Sequence, residues 1–228
     1  YADYVRTTPV FIPWPKRALT GNASAVVMFL CVGALSLAAP RADAELVDGQ
    51  VVRFQVRDAD SGAALYSCVE RIRIRDGEVE KKTVYQAPDQ SDVMVERVRY
   101  DFESLRVNEF VSEHRKQGER IALRRDGEQL LIEYRPRAGV PVQRNDAMRW
   151  GPEMRMGKTL HHIIVRRWDD LAAGKPVRFD LLVPSKFDSY RFRLSLESSS
   201  GGDDRIFRLE PDSWMLRQFV SPMDFHYD

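Results

Sequence analysis

Apolar and polar residues alternate with a period of two along most of the chain beyond residue 45. In VRFQVR, Val52, Phe54 and Val56 fall on one face and Arg53, Gln55 and Arg57 on the other, the pattern of a half-buried strand. Met94, Val98, Tyr100 and Phe102 share a face, with Arg97, Arg99 and Asp101 opposite. Val177, Phe179, Leu181 and Val183 alternate with Arg178 and Asp180. Tyr190, Phe192, Leu194 and Leu196 alternate with Arg191, Arg193 and Glu197. A strand or two belongs within Leu105 to His114, another in RIFRLEP, and a further stretch begins at Trp214 and Leu216.

Two Asp-Gly pairs suit two-residue hairpin turns and so predict register. Around Asp76–Gly77, Ile74 faces Val79 and Arg73 faces Glu80, while Ile72 opposite Lys81 fits less well. Around Asp126–Gly127, Leu123 faces Leu130, Ile121 faces Ile132 and Arg120 meets Glu133. Cys68 has the phase of Ile72 and Ile74, which predicts a buried thiol. Glu70 has the same phase, leaving open whether a bulge intervenes. Asp58 to Gly62 is a turn, Ser198 to Asp204 a flexible loop, and Pro136 to Gly157 a long irregular connection.

One stretch breaks the period. In TLHHIIVRRWDDLAAGKP, Leu160, Ile163, Ile164, Trp168 and Leu171 form one stripe of an α-helix over about 159–173. Thr159 can cap its start, Gly174 can end it at positive φ, and Pro176 stops continuation. The pattern therefore predicts a mainly β protein of the α+β kind: a single curved antiparallel meander, or a partly open barrel, of about eight to ten strands with one packed helix. The stripe must lie against the sheet, with Trp168 the costliest residue to truncate. His161, His162 and Asp170 fall toward the polar side.

Composition places this domain in the chain. The first 44 residues hold Lys16 and Arg17, an apolar run from Ala23 to Ala39, and an A-x-A end at Ala42 and Ala44, the anatomy of a secretory signal peptide cut before Glu45. An uncleaved anchor would be the sole membrane attachment. Cys31 is not a lipid-attachment site, because Leu30 rather than a small residue precedes it. The expected division is a leader at 1–44 and a single β-rich domain at 45–228, exported to the periplasm.

The whole chain has 35 basic and 34 acidic residues, a net charge of +1. Removing the leader takes Arg6, Lys16, Arg17 and Arg41 with Asp3 and Asp43, and leaves the rest close to neutral. Near-neutrality argues against a nucleic-acid partner. With Cys31 gone, Cys68 cannot form an internal disulfide.

Candidate chemistry is sparse. His161 and His162 are adjacent, so on a helix they diverge by about 100° and cannot share a metal; His162 with Arg166 and Asp169 reads as a solvated face. Asp169 and Asp170 diverge likewise, so they do not form an acid–base pair. Each is expected to pair with an arginine such as Arg166, although acids near a helix C-terminus are not what stability selects. Ser67 and Ser185 lack a nucleophile's context, and GDD at 202–204 lacks calcium-ligand spacing. No Walker loop, dinucleotide fingerprint, hydrolase elbow or zincin motif occurs. No catalytic residue, metal ligand or cofactor is nominated, and the binding residues are left unknown.

HIIVRRWDDLAAGKPVRFDLLVPS and RLEPDSWMLRQFVSPMDFHYD, together about the last third, resemble a family of uncharacterised bacterial exported, β-rich proteins of unknown function. The resemblance implies a curved antiparallel sheet with few helices and carries over no catalytic residue. In such proteins the terminal stretch leads into another strand, so the stop at Asp228 suggests a C-terminal truncation. The function expected is that of a non-enzymatic envelope protein, either binding a lipid or other hydrophobic ligand or meeting another envelope protein. The alternative is a hydrolase of envelope polymers or esters. An outer-membrane barrel is excluded by the charged face on most strands.

Overall fold

The computed structural model describes residues 9–11, 46–57, 64–199, 205–220 and 222–227. The proposed leader cut, the apolar run, the turn at 58–62 and the GDD sequence lie outside the described residues. The period-two segments become β1 (Pro9–Phe11), β2 (Val51–Arg57), β3 (Ala64–Arg75), β4 (Glu78–Gln86), β5 (Asp92–Asp101), β6 (Val107–His114), β7 (Glu119–Asp126), β8 (Gln129–Arg135) and β9 (Gln143–Arg149), joined in one sheet in chain order. From β2 to β9 every pairing is antiparallel, an eight-stranded meander; β1 lies parallel along the outer edge of β2.

A second sheet follows: β10 (Met154–Met156), β11 (Val177–Val183), β12 (Asp188–Ser199), β13 (Arg205–Pro211) and β14 (Met223–Tyr227). Here β10 runs parallel to β11 and the other pairings are antiparallel. Neither sheet closes into a barrel. The mainly β meander is as expected, but the strands exceed ten and divide between two sheets. One continuous apolar core joins them, from Val52 and Phe54 in the first to Phe207 and Phe225 in the second.

The connection expected to be irregular contains β9 and β10. Neither carries a legible alternation, because β9 is an edge strand with no buried face and β10 has three residues. Trp214 opens a short helix, α3 (Trp214–Arg217), rather than a strand.

The Asp76–Gly77 hairpin has the expected register: Ile74 opposite Val79, Arg73 opposite Glu80, Ile72 opposite Lys81. Both turn residues have positive φ, 50° and 75°, as a two-residue type I′ loop requires. At the second Asp-Gly pair the register is moved by two. Asp126 remains in the strand opposite Gln129, so Leu123 faces Ile132, Ile121 faces Tyr134 and Arg120 faces Arg135. Here Gly127 alone takes positive φ and opens the turn, the glycine-first arrangement of type II′. An even shift keeps every side chain on its expected face.

The helix is two helices. Arg167, at φ −107° and ψ 18°, separates α1 (Leu160–Arg166) from α2 (Trp168–Ala172). A 3₁₀ turn, Gly157–Thr159, precedes α1, and Thr159 does not cap it: its hydroxyl donates back to the Met156 carbonyl at 2.9 Å. Gly174 ends α2 at φ 75°. The break lets the segment serve both sheets. Leu160 and Ile164 are buried on α1 and Leu171 on α2, while half-buried Trp168 meets the Phe207 ring of β13 edge-on at 5.0 Å. The break also removes the oddity of the two aspartates. Asp169 and Asp170 occupy the first turn of α2, where the helix dipole favours carboxylates.

Candidate functional site

The inward face of the large sheet is mostly apolar, but Lys81 and His114 are buried on it, and one polar row crosses four of its strands. Glu70 on β3 lies opposite Thr83 on β4, Thr83 opposite Glu96 on β5, and Glu96 opposite Ser112 on β6. All four are buried. They have the phase of Cys68 and Ile72, of Val79, of Met94 and Val98, and of Phe110, so the pleat that buries those residues buries the row too. No bulge turns Glu70 outward, since β3 and β4 pair without interruption from Ser67 to Arg75.

A carboxylate taken from water must be paired and hydrogen-bonded, and each of the two is. Thr83 Oγ1 donates to Glu70 Oε2 at 2.9 Å, and Lys81 Nζ lies 3.6 Å from Glu70 Oε1. The Tyr85 hydroxyl donates to Glu96 Oε2 at 2.7 Å and accepts from Lys158 Nζ at 2.7 Å; the same ammonium forms an ion pair with Glu96. Lys81 and Tyr85 come from β4, two residues to either side of Thr83. Lys158 comes from the turn before α1. Two carboxylates thus meet two ammonium groups.

Electrostatics follow from this arrangement. Burial pushes the Glu70 carboxyl up, but Lys81, Lys158 and the Thr83 hydroxyl together hold it below its ordinary range. Burial works against the Lys81 charge, yet Glu70 and Tyr100 hold its pKa above the usual lysine value. His161 is pushed down to about 3 by burial and by Lys81, against the pull of Glu70, so it is neutral. His162 is also driven to about 3, by burial, Arg166 and Lys81.

The two histidines do diverge. His161 senses Glu70 and Lys81, whereas His162 packs against Phe102 at 4.8 Å and Tyr100 at 6.0 Å between ring centres. His162 is nonetheless buried, so the solvated face expected for it is not present. The reason is that α1 sinks into the sheet on more than its apolar stripe; Arg166 completes the cover, its guanidinium 5.0 Å from the Phe102 ring centre. The His162 Nδ1 finds no hydrogen-bond partner among the described residues.

Asp170 pairs with Arg167 at 3.0 Å and Lys175 at 3.5 Å rather than with Arg166, and Asp169 is exposed. Cys68 is buried in the expected phase. Among the described residues, no three His, Cys, Asp or Glu side chains are grouped to hold a metal ion, and no helix is long and apolar enough to cross a membrane.

Glutamate, lysine, tyrosine and histidine together could perform acid–base chemistry in an open cleft. Here none of Glu70, Lys81, Glu96, Lys158 or His161 exceeds 9% exposure. What the row can do is fix register. A slip of one residue would turn the row outward and drive Arg71, Lys82 and Arg97 into the core. The signal was present in the sequence as charged residues at core phase: Glu70 and Lys81 as misfits, and Glu96 between Met94 and Val98. Lys158, which answers Glu96 from 62 positions away, has no local signature.

No protein-family model matches the chain, and no curated protein matches it. Among solved structures, a 32 kDa fragment of the flagellar hook protein FlgE from Caulobacter crescentus is similar, with 13% identity and a TM-score of 0.24. The match covers 91% of this chain and 66% of that fragment, and at this TM-score it bears on neither fold nor role.

Proposed function

We propose that the protein is a non-enzymatic, exported envelope module that works through its outer surfaces, neither enclosing a hydrophobic ligand nor turning over a substrate. The observation that carries this reading is the buried inward face of the large sheet. A carrier's chamber would leave its lining accessible, whereas Ile72, Val98, Phe110, Leu123 and Ile132 are each under 5% exposed. The groups that could serve the hydrolase reading are sealed in the same interior. The outer surface, by contrast, presents Trp214 at 73% and Phe219 at 70% exposure, with Met215 beside them, the kind of apolar patch that marks contact with another molecule. Export rests on the leader sequence.

Native mass spectrometry of protein purified from its own cell envelope tests the reading. The expected species is the bare chain beginning at Glu45. A stoichiometric lipid adduct would restore the carrier, and recovery from the cytoplasm with the leader intact would overturn export.

A further inference from the structure

The outward face of β3, β4 and β5 carries two neighbouring rows of opposite character. Arg71 lies opposite Lys82 and Lys82 opposite Arg97, three cations side by side across three strands. In the next row Val69 lies opposite Val84 and Val84 opposite Val95, all half-buried. Like charges directly opposite one another destabilise a sheet. None of the three cations has a carboxylate within ion-pair distance among the described residues.

The row on the far flank shows the alternative. Arg73, Glu80, Arg99, Glu109 and Arg124 succeed one another across five strands with strictly alternating sign, and Arg99 contacts Glu109 at 2.5 Å. The cationic row stands out because the same face neutralises itself one row away.

We propose that this pair of rows is a docking surface for an acidic amphipathic helix of a partner protein, its carboxylates on Arg71, Lys82 and Arg97 and its apolar side chains on Val69, Val84 and Val95. The inference rests on the reading that the protein works through its outer surfaces. Two dimensions argue for a helix rather than a bilayer. Arginine and lysine reach several ångströms farther from the backbone than valine, so the valines form a floor below a cationic fence. A rod can lie on that floor; a broad flat surface meets the fence first. Strands are spaced about 4.8 Å apart, so the outer cations are roughly 10 Å apart. Helix positions i, i+4 and i+7 span about 10.5 Å along the axis, which brings one carboxylate to each cation.

The test uses the full chain and a soluble helical peptide with glutamates at i, i+4 and i+7 and leucines one position after each. Saturable binding that weakens with salt is expected. The triple variant R71E/K82E/R97E should bind this peptide about tenfold or more weakly. It should instead bind a peptide with lysines replacing the glutamates. Should the triple variant unfold, Lys82→Glu alone, with the unaltered chain against both peptides, asks the same question. Equal affinity of the unaltered chain for both peptides would overturn the proposal. So would no saturable binding, or binding to phosphatidylglycerol vesicles but not to the peptide. A ligand-filled interior would defeat the functional reading and leave this result untouched.

Discussion

Lys158 Nζ lies 2.7 Å from the Tyr85 hydroxyl, although 73 positions separate the two residues. That contact fastens the second half of the chain to the middle of the meander. Its energetics are asymmetric. A buried ion pair contributes little net stability over an apolar pair, but removing one member strands the other. Lys158→Met should therefore destabilise by about 3–5 kcal/mol, and adding Glu96→Leu should recover much of the loss. Urea melts of the two single variants and the double variant measure this. Additive losses would mean that the two groups do not depend on each other.

Acid should unfold the protein earlier than its carboxylates require. Free imidazole takes up a proton near pH 6.5, but folded His161 and His162 resist protonation until about pH 3. Their folded pKa values lie below the unfolded value. The associated stability is therefore fully present above about pH 6.5 and is lost progressively as the pH falls toward 3, by up to about 1.4 kcal/mol per histidine per pH unit. Glu70, held below its ordinary range, adds a further loss below about pH 4.5. His161→Gln should flatten the profile between pH 6.5 and 4.5. An unchanged slope in that variant would show that His161 is protonated in the folded state.

Within the helical segment the order of importance departs from the one expected from the apolar stripe. Ile164 is inaccessible and His162 is 4% exposed, whereas Trp168 is only half-buried. Ile164→Ala should cost about 2–5 kcal/mol. Trp168→Ala should cost less than that, because the side chain is only half-buried where it packs on the core and on Phe207. Thermal or urea unfolding of the two variants orders them, and a Trp168 variant less stable than the Ile164 variant would contradict the packing described.

Two turn glycines should differ sharply. Gly118 and Gly77 both have positive φ, 69° and 75°, so alanine is strained at either. A Cβ at Gly77 meets nothing within 4 Å, whereas at Gly118 it would sit 2.7 Å from the backbone nitrogen of Ala138. Gly77→Ala should cost about 1–2 kcal/mol, and Gly118→Ala a further 1–3 kcal/mol of overpacking. Equal losses in chemical denaturation would argue against the approach of the 118 turn to Ala138.

The strands were legible because a half-buried strand writes its two faces into alternate residues, and the first hairpin because Asp76 and Gly77 both tolerate positive φ. The second hairpin was misplaced by two because Asp-Gly can hold the glycine at either central position of a turn. The helix break left no mark, since Arg167 is an ordinary helix former and tertiary contact decides the bend. The polar row was half legible. Glu70 and Lys81 violate the pattern of their own hairpin, and Glu96 violates that of β5. Their partnership with Lys158 is a property of the assembled fold.

The long reach of Lys158 bears on the order of assembly. Every pairing from β2 to β9 joins neighbours in the chain, so the meander can form from local contacts as the chain emerges N-terminus first. During that interval the inward face has no lid, because residues 157–172 are synthesised later. Its carboxylates are not bare in the meantime. Glu70 already has Thr83 and Lys81, and Glu96 already has Tyr85, each within thirteen positions. The nascent sheet thus carries a provisional set of partners, and arrival of Lys158 converts an open, half-neutralised surface into a closed one. Closing that loop is the slow, entropically costly event. A chain stalled before residue 158 would present an apolar sheet with one uncompensated acid at its centre.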